Sequence, residues 1–265
     1  MIADMRNLIK EIITHKTPCY FISPHLDDAA ISCGGLISAL AQKTQVYVIN
    51  VFTKVGPLPY TKSAKKFLKN CGYKNAQTLF KDRVLEDRNV FKLLKVKVFY
   101  LGFIDALWRR RKRLNAIAGF LVKYLPEITH VYPTYRFHIK KGKLSKEDRP
   151  LMDSLKIKLT FLIKKRKEYI IFCPLGTGKH SDHLIVRNVC NDVFDKVVYW
   201  SDAPYNLSHK DNLGFLTDKK VRSFIYRKRA KIRVKAVKGY KSQVRALFPD
   251  GKIRLKPEKY FWVES

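Results

Sequence analysis

Negative charge is scarce in this 265-residue chain: 22 Asp and Glu stand against 54 Lys and Arg, a formal net charge of +32. Between Lys219 and Pro249 there is no acidic residue at all. No apolar run approaches the roughly 20 residues that a membrane-spanning helix needs. The first ten residues include Asp4 and no continuous apolar stretch, which argues against a secretory leader. The five cysteines are an odd number without a Cys-x-x-Cys pair, so neither a disulfide framework nor a zinc ribbon fits. Reduced thiols in the cytoplasm are expected, with Cys19 and Cys173 as core packing. Repeats and low-complexity linkers are missing too. The basic charge comes without an RNP motif, a Cys/His finger or a basic coiled coil, hence without a specific nucleic-acid signature. It is either a lysine-rich solvated surface or the mark of a polyanionic partner: nucleic acid, a charged glycan, or anionic lipid met peripherally at the inner membrane surface.

What is present is a globular pattern. Hydrophobic residues are 46% and aromatics 12%, which excludes disorder. Apolar runs at 19–23, 46–52, 97–101, 130–132, 169–173 and 197–200 read as strands. They alternate with amphipathic stretches at 35–42, 63–70, 79–94, 114–125, 151–167 and 184–194 that read as helices. Strand–helix alternation with runs apolar on both faces predicts an α/β fold with a mostly parallel sheet. The chain reads as a single domain, 1–265, with its core at about 18–205 and a basic helical C-terminal extension at about 215–265. The Lys- and Gly-containing stretch 133–150 is long for a connection and is a candidate lid.

Two polar clusters follow predicted strands, where α/β sheets bind their ligands. Ser23-Pro24-His25-Leu26-Asp27-Asp28 follows the first, and Gly176-Thr177-Gly178-Lys179-His180-Ser181-Asp182-His183 follows the fifth. His25 and Asp28, three apart, can aim at one point, and His183 can join them. Two imidazoles and one carboxylate with an open fourth position suit a catalytic zinc, one per chain, although iron or cobalt accepts the same ligands. Asp27 is then free to take a proton from water, and His180 to stabilise an oxyanion or protonate a leaving group. Asp182 is placed to hold His180 in one tautomer. The competing reading makes Asp27 or Asp28 a helix cap and the histidines surface residues. A phosphate loop at Gly176-Thr177-Gly178-Lys179 fails, because a Walker A motif needs Gly at Cys173 and Ser or Thr at His180.

At these residues the chain resembles the PIG-L/LmbE-like deacetylases, zinc hydrolases that remove acetyl groups from N-acetylglucosamine-type sugars. The His-Pro-Asp-Asp motif of that family is similar to His25-Leu26-Asp27-Asp28, and its His-x-Asp-His motif to His180-Ser181-Asp182-His183. Further resemblance lies in Arg83-Val84-Leu85-Glu86-Asp87, Leu101-Gly102, Asp105-Ala106, Asp202-Ala203-Pro204-Tyr205 and the stretch from Lys235 to Gln243, so it spans about 18–247. It implies a Rossmann-like three-layer (αβα) fold, zinc held by His25, Asp28 and His183, Asp27 as general base and His180 as oxyanion stabiliser or acid. Arg83, Asp105, Asp202 and Tyr205 are its candidate substrate contacts, with an exposed helix pair to Asp87 as the alternative for Arg83. Two departures stand out: Ala29 replaces a frequent Glu, and Gly178 replaces a Tyr found in some members, which leaves Tyr205 as a candidate to polarise the carbonyl. The implied function is hydrolytic removal of an N-acetyl group from an acetylated amino sugar or glycoconjugate, with the charge favouring anionic or lipid-linked ones. The alternatives are a polyanion- or membrane-surface-binding protein on the same fold, and hydrolysis of another amide or ester.

Overall fold

In the computed structural model, which describes residues 5–112, 124–164 and 167–264, a single seven-stranded sheet organises the chain. Its strands are β1 (Cys19–Ser23), β2 (Val46–Lys54), β3 (Lys97–Ile104), β4 (Ile170–Pro174), β5 (Val197–Trp200), β6 (Val221–Tyr226) and β7 (Glu258–Val263), in the spatial order β3-β2-β1-β4-β5-β7-β6. The first five run parallel, and β7 and β6 close one edge antiparallel.

Alternate residues of a strand leave on opposite faces, so a strand apolar throughout needs cover on both sides. Cys19 and Phe21 of β1 join the cluster made with α1 (Met5–Thr14), α2 (Asp28–Leu40) and the end of α4 (Ala76–Leu93), which follows α3 (Lys62–Cys71). Tyr20 and Ile22 face the other way, into the cluster built by α5 (Arg149–Ile163) and α6 (Ser181–Val193). The result is the three-layer αβα architecture. From β1 the chain crosses to β2 on one side, and it later returns to β4 on the other. The crevice at this reversal opens at the carboxyl ends of β1 and β4, where both polar clusters stand.

Three segments differ from expectation. The predicted strand at 130–132 makes only an isolated bridge, Arg110 to His130, with no strand beside it among the described residues. Helix α2 starts at Asp28 and not near residue 35, since its two glycines do not break it: a Cβ at Gly35 would lie 2.9 Å from the Lys228 carbonyl oxygen, so the helix needs glycine for this close approach. The supposed helical extension supplies β6 and β7 besides α7 (Ala230–Lys238) and α8 (Lys241–Leu247). Tyr260, Phe261 and Trp262 of β7 are buried, and Phe261 sits opposite Tyr199 of β5, so this segment completes the core. The predicted helix 114–125 falls largely on 113–123, outside the described residues. No helix among the described residues is long and apolar enough to cross a membrane.

Candidate functional site

The turn after β1 is shaped by its own polar atoms. Ser23 Oγ donates to the His25 carbonyl at 2.7 Å and accepts from Ala29 N–H at 3.1 Å, and Asp28 Oδ2 accepts the His25 backbone N–H at 2.9 Å. Asp27 occupies the N-cap position of α2, yet its side chain makes no capping bond, which removes the structural reading of that residue. Its Oδ1 lies 3.5 Å from Arg83 Nη2. Arg83 is buried and does not make the alternative helix pair, for Asp87 is taken by Asn50, Tyr100 and Tyr240 at 2.7–2.9 Å.

Three side chains converge on one point. Asp28 Oδ2 is 3.0 Å from His25 Nδ1 and 3.3 Å from His183 Nε2. The far nitrogen of each imidazole is occupied: His183 Nδ1 lies 2.6 Å from Asp202 Oδ1, and His25 Nε2 lies 3.2 Å from Asp182 Oδ2. A carboxylate accepts the outer ring N–H, so the inward nitrogen of each histidine offers a lone pair to an ion once its own proton is displaced. His183 Nε2 is buried without a hydrogen-bond partner. Lone pairs aimed at a carboxylate oxygen repel unless a cation or proton lies between them. A tetrahedral ion with bonds of about 2.0–2.1 Å sets its ligand atoms roughly 3.3 Å apart, and the observed separations fit that spacing.

Charge argues the same way. Asp27, Asp28, Asp105, Asp182 and Asp202 are buried here, against the two guanidiniums of Arg83 and Arg109. Buried charges need partners, so the balance is met either by protons on His25 and His183 or by a divalent ion that displaces them. Burial alone would lower the His183 pKa, but Asp28 and the Asp202 hydrogen bond push it up to about 9. For Asp28, burial acts upward and is outweighed by His183, which holds it well below the usual carboxylate range. Burial raises Asp27 to about 6 against the opposing charge of Arg83, so it is both basic and ionised at neutral pH. His180 shifts well below the usual imidazole value through burial, then through the charges of His25 and His183. Its Nδ1 accepts the Asp182 backbone N–H at 3.3 Å, which leaves the ring proton on Nε2 as a donor.

Two expected roles are corrected. The Asp182 carboxylate does not hold His180, because the first turn of α6 turns it inward: it accepts from the Arg109 guanidinium, from Ala106 N–H at 2.8 Å and from His25. Asp202 is too buried to touch a substrate, since besides His183 it accepts the Gly176 and Thr177 N–H groups, both at 2.8 Å. Asp105 lines the site but binds its own turn through Leu107 N–H at 2.8 Å. Arg83 and Tyr205 also line the small cavity of about 80 Å³, roughly the volume of two or three waters. Tyr205 fills the room left by Gly178, where a Cβ would sit 2.9 Å from its ring at a φ of +85°.

Sequence reasoning missed Arg109 and Tyr135. Arg109 belongs to the run of basic residues at 109–113, yet it is buried and bridges Asp182 and Asp148. Tyr135 comes from the candidate lid, which forms a short π-turn, Tyr135–Ile139, that brings its hydroxyl 3.4 Å from that of Tyr205. Neither has a local signal; each is set by contacts far away in the chain.

The family model described as PIG-L, GlcNAc-PI de-N-acetylase, matches residues 20–194. No curated protein sequence matches. Among solved structures, a deacetylase in the biosynthesis pathway of teicoplanin is similar, with 19% identity, a TM-score of 0.68, and coverage of 94% of this chain and 99% of that one. One solved form of teicoplanin deacetylase is zinc-inhibited. N,N'-diacetylchitobiose deacetylase from Pyrococcus horikoshii shares 13% identity at a TM-score of 0.53, covering 100% of this chain and 94% of its own. A 4-carboxy-2-hydroxymuconate hydratase from Pseudomonas putida aligns at 10% identity and a TM-score of 0.52, over 93% and 95%, so the fold also carries another chemistry.

Proposed function

Because the chain belongs to the PIG-L family, we propose that it hydrolyses the N-acetyl amide of an acetylated amino sugar or glycoconjugate, with a divalent metal, zinc by its donor set, as cofactor. The observation that carries this reading is the convergence of two carboxylate-backed imidazole lone pairs on Asp28, beside an uncapped and basic Asp27.

His25, Asp28 and His183 would hold the ion, which when bound supplies Lewis acidity toward the acyl oxygen and toward water. The rest is done by the chain. Asp27 takes a proton from the attacking water as the oxygen bonds to the acetyl carbon. Arg83 keeps this carboxylate oriented and ionised in a buried setting. His180 donates its Nε2–H to the carbonyl oxygen as negative charge grows there, and its neutral form makes it a donor without adding a positive charge beside the ion. As the C–N bond breaks, the proton held on Asp27 passes to the leaving nitrogen, so that an amine and acetate depart. Asp182 and Asp202 position the two imidazoles. The narrow cavity admits an acetyl group and keeps the sugar at its mouth.

The test is metal content and acetate release from acetylated amino sugars, for the unaltered chain and for Asp27→Asn. The expected result is one equivalent of metal in both, with release reduced about 10²–10⁴-fold in the variant, the range for a lost general base. A metal-free protein that zinc cannot load, or a fully active variant, would overturn the reading.

A further inference from the structure

We propose that Lys140 reads an anionic substituent, a carboxylate or a phosphate, on the sugar whose acetyl group enters beside Tyr135 and Tyr205. This rests on the deacetylase reading and narrows its substrate class. The Lys140 Nζ stands 4.5 Å from the centroid of the Tyr205 ring and 5.4 Å from that of Tyr135, and both rings line the reaction cavity. The ammonium is therefore fixed at the mouth by two aromatic faces.

Those faces hold the charge but leave its three N–H donors without an acceptor. Among the described residues no carboxylate lies within ion-pairing distance of Lys140, and no carbonyl accepts from it, although the side chain is half-buried. Burial with no compensating anion shifts its pKa down, the cost of a cation held ready for a partner from outside. The other half-buried or buried cations of the site are paired: Arg83 with Asp27, and Arg109 with Asp182 and Asp148.

The unpaired cations lie at the outer end of the path. Inside, the cavity wall carries Asp27, Asp28 and Asp105 together with Arg83, whose guanidinium is already paired with Asp27, so among the described residues no cation there is left over for an anion. Outside, Arg136, Lys141 and Lys143 are exposed beside Lys140 in the chain, and the Lys179 side chain packs against Gly142, with its Cδ 3.1 Å from where a Cβ would be. A sugar that is neutral at its acetamido end and anionic at the other matches this placement of the unpaired cations.

The test uses the full chain carrying Asp27→Asn, loaded with zinc, so that binding is measured without turnover. Calorimetry gives dissociation constants at fixed ionic strength for N-acetylglucosamine, N-acetylglucosamine 6-phosphate and N-acetylmuramic acid. At least one anionic sugar is expected to bind about tenfold tighter than the neutral one, as a charge-assisted hydrogen bond provides, and which one identifies phosphate or carboxylate as the group read. Adding Lys140→Met should bring that ratio to within about twofold, Lys140→Arg should keep it, and Lys43→Met, an exposed charge at the other end of the sheet, should leave it unchanged. Equal affinities for all three sugars, or a ratio that survives Lys140→Met, would overturn the proposal. Acetate release by the chain without Asp27→Asn is scored separately: its absence sinks the deacetylase reading, while the binding ratios still decide the role of Lys140.

Discussion

Replacing Asp202 by Asn is the sharpest probe of the site, because it keeps volume and changes one proton. In the wild-type chain, Asp202 Oδ2 accepts two N–H groups of the Gly176–Thr177 turn, and Oδ1 accepts the His183 Nδ1–H at 2.6 Å. Asn has only one oxygen, and the two turn donors claim it. Its NH₂ then faces His183, whose Nδ1 must become the acceptor. The ring proton moves to Nε2, where it points at Asp28 and removes one lone pair from the metal. Loss of such an orienting partner typically weakens metal binding 10–100-fold, about 1.4–2.7 kcal/mol. Chelator competition on Asp202→Asn should read that loss, while thermal unfolding of the metal-free protein stays within a few degrees, since the turn keeps its acceptor. Zinc affinity within threefold of wild type would refute the assignment of the tautomer and of His183 as a ligand.

Other consequences can be measured directly. Arg109→Met leaves Asp182 and Asp148 buried beside a missing charge and should lower the unfolding free energy by about 3–5 kcal/mol in urea titrations, whereas Arg111→Met, which breaks an exposed pair with Glu147 at 3.2 Å, should change it by less than about 1 kcal/mol. Burial pushes Asp87 up to about 8 despite its three donors, and an unfolded Asp titrates near 3.9. The folded state thus binds the extra proton between those values, so this group stabilises at low pH and its contribution is lost as pH rises toward 8. Wild type should accordingly lose stability relative to Asp87→Asn between pH 5 and pH 8, and a constant difference would contradict the shift. Gly178→Ala combines a Cβ at positive φ with a clash against Tyr205, and should lower activity together with melting temperature; an unaffected variant would show that Tyr205 moves aside freely.

The α/β class, the parallel sheet and the two polar clusters at its strand ends were legible in the residues themselves. Runs apolar on both faces suit covered strands, although the one at 130–132 forms only a bridge, and His25, Asp27, Asp28, His180 and His183 lie within a few residues of strand ends, so their convergence needs only adjacent strands. β1 and β4 are those neighbours. Tertiary structure alone decided the supporting groups. Asp182 backs His25 and not the nearer His180, because the first turn of α6 points it inward, toward Arg109 and the turn at Ala106. Arg109 leaves the basic run that surrounds it, since burial depends on the two carboxylates that long-range folding sets beside it. Asp202 acts on His183 from the end of β5, and Tyr135 meets Tyr205 across 70 positions. The basic C-terminal stretch reads as helix by its spacing, yet it also supplies β6 and β7, which extend the sheet. An open antiparallel edge beside β5 was available to it, and strand pairing is chosen by the neighbour as much as by the strand.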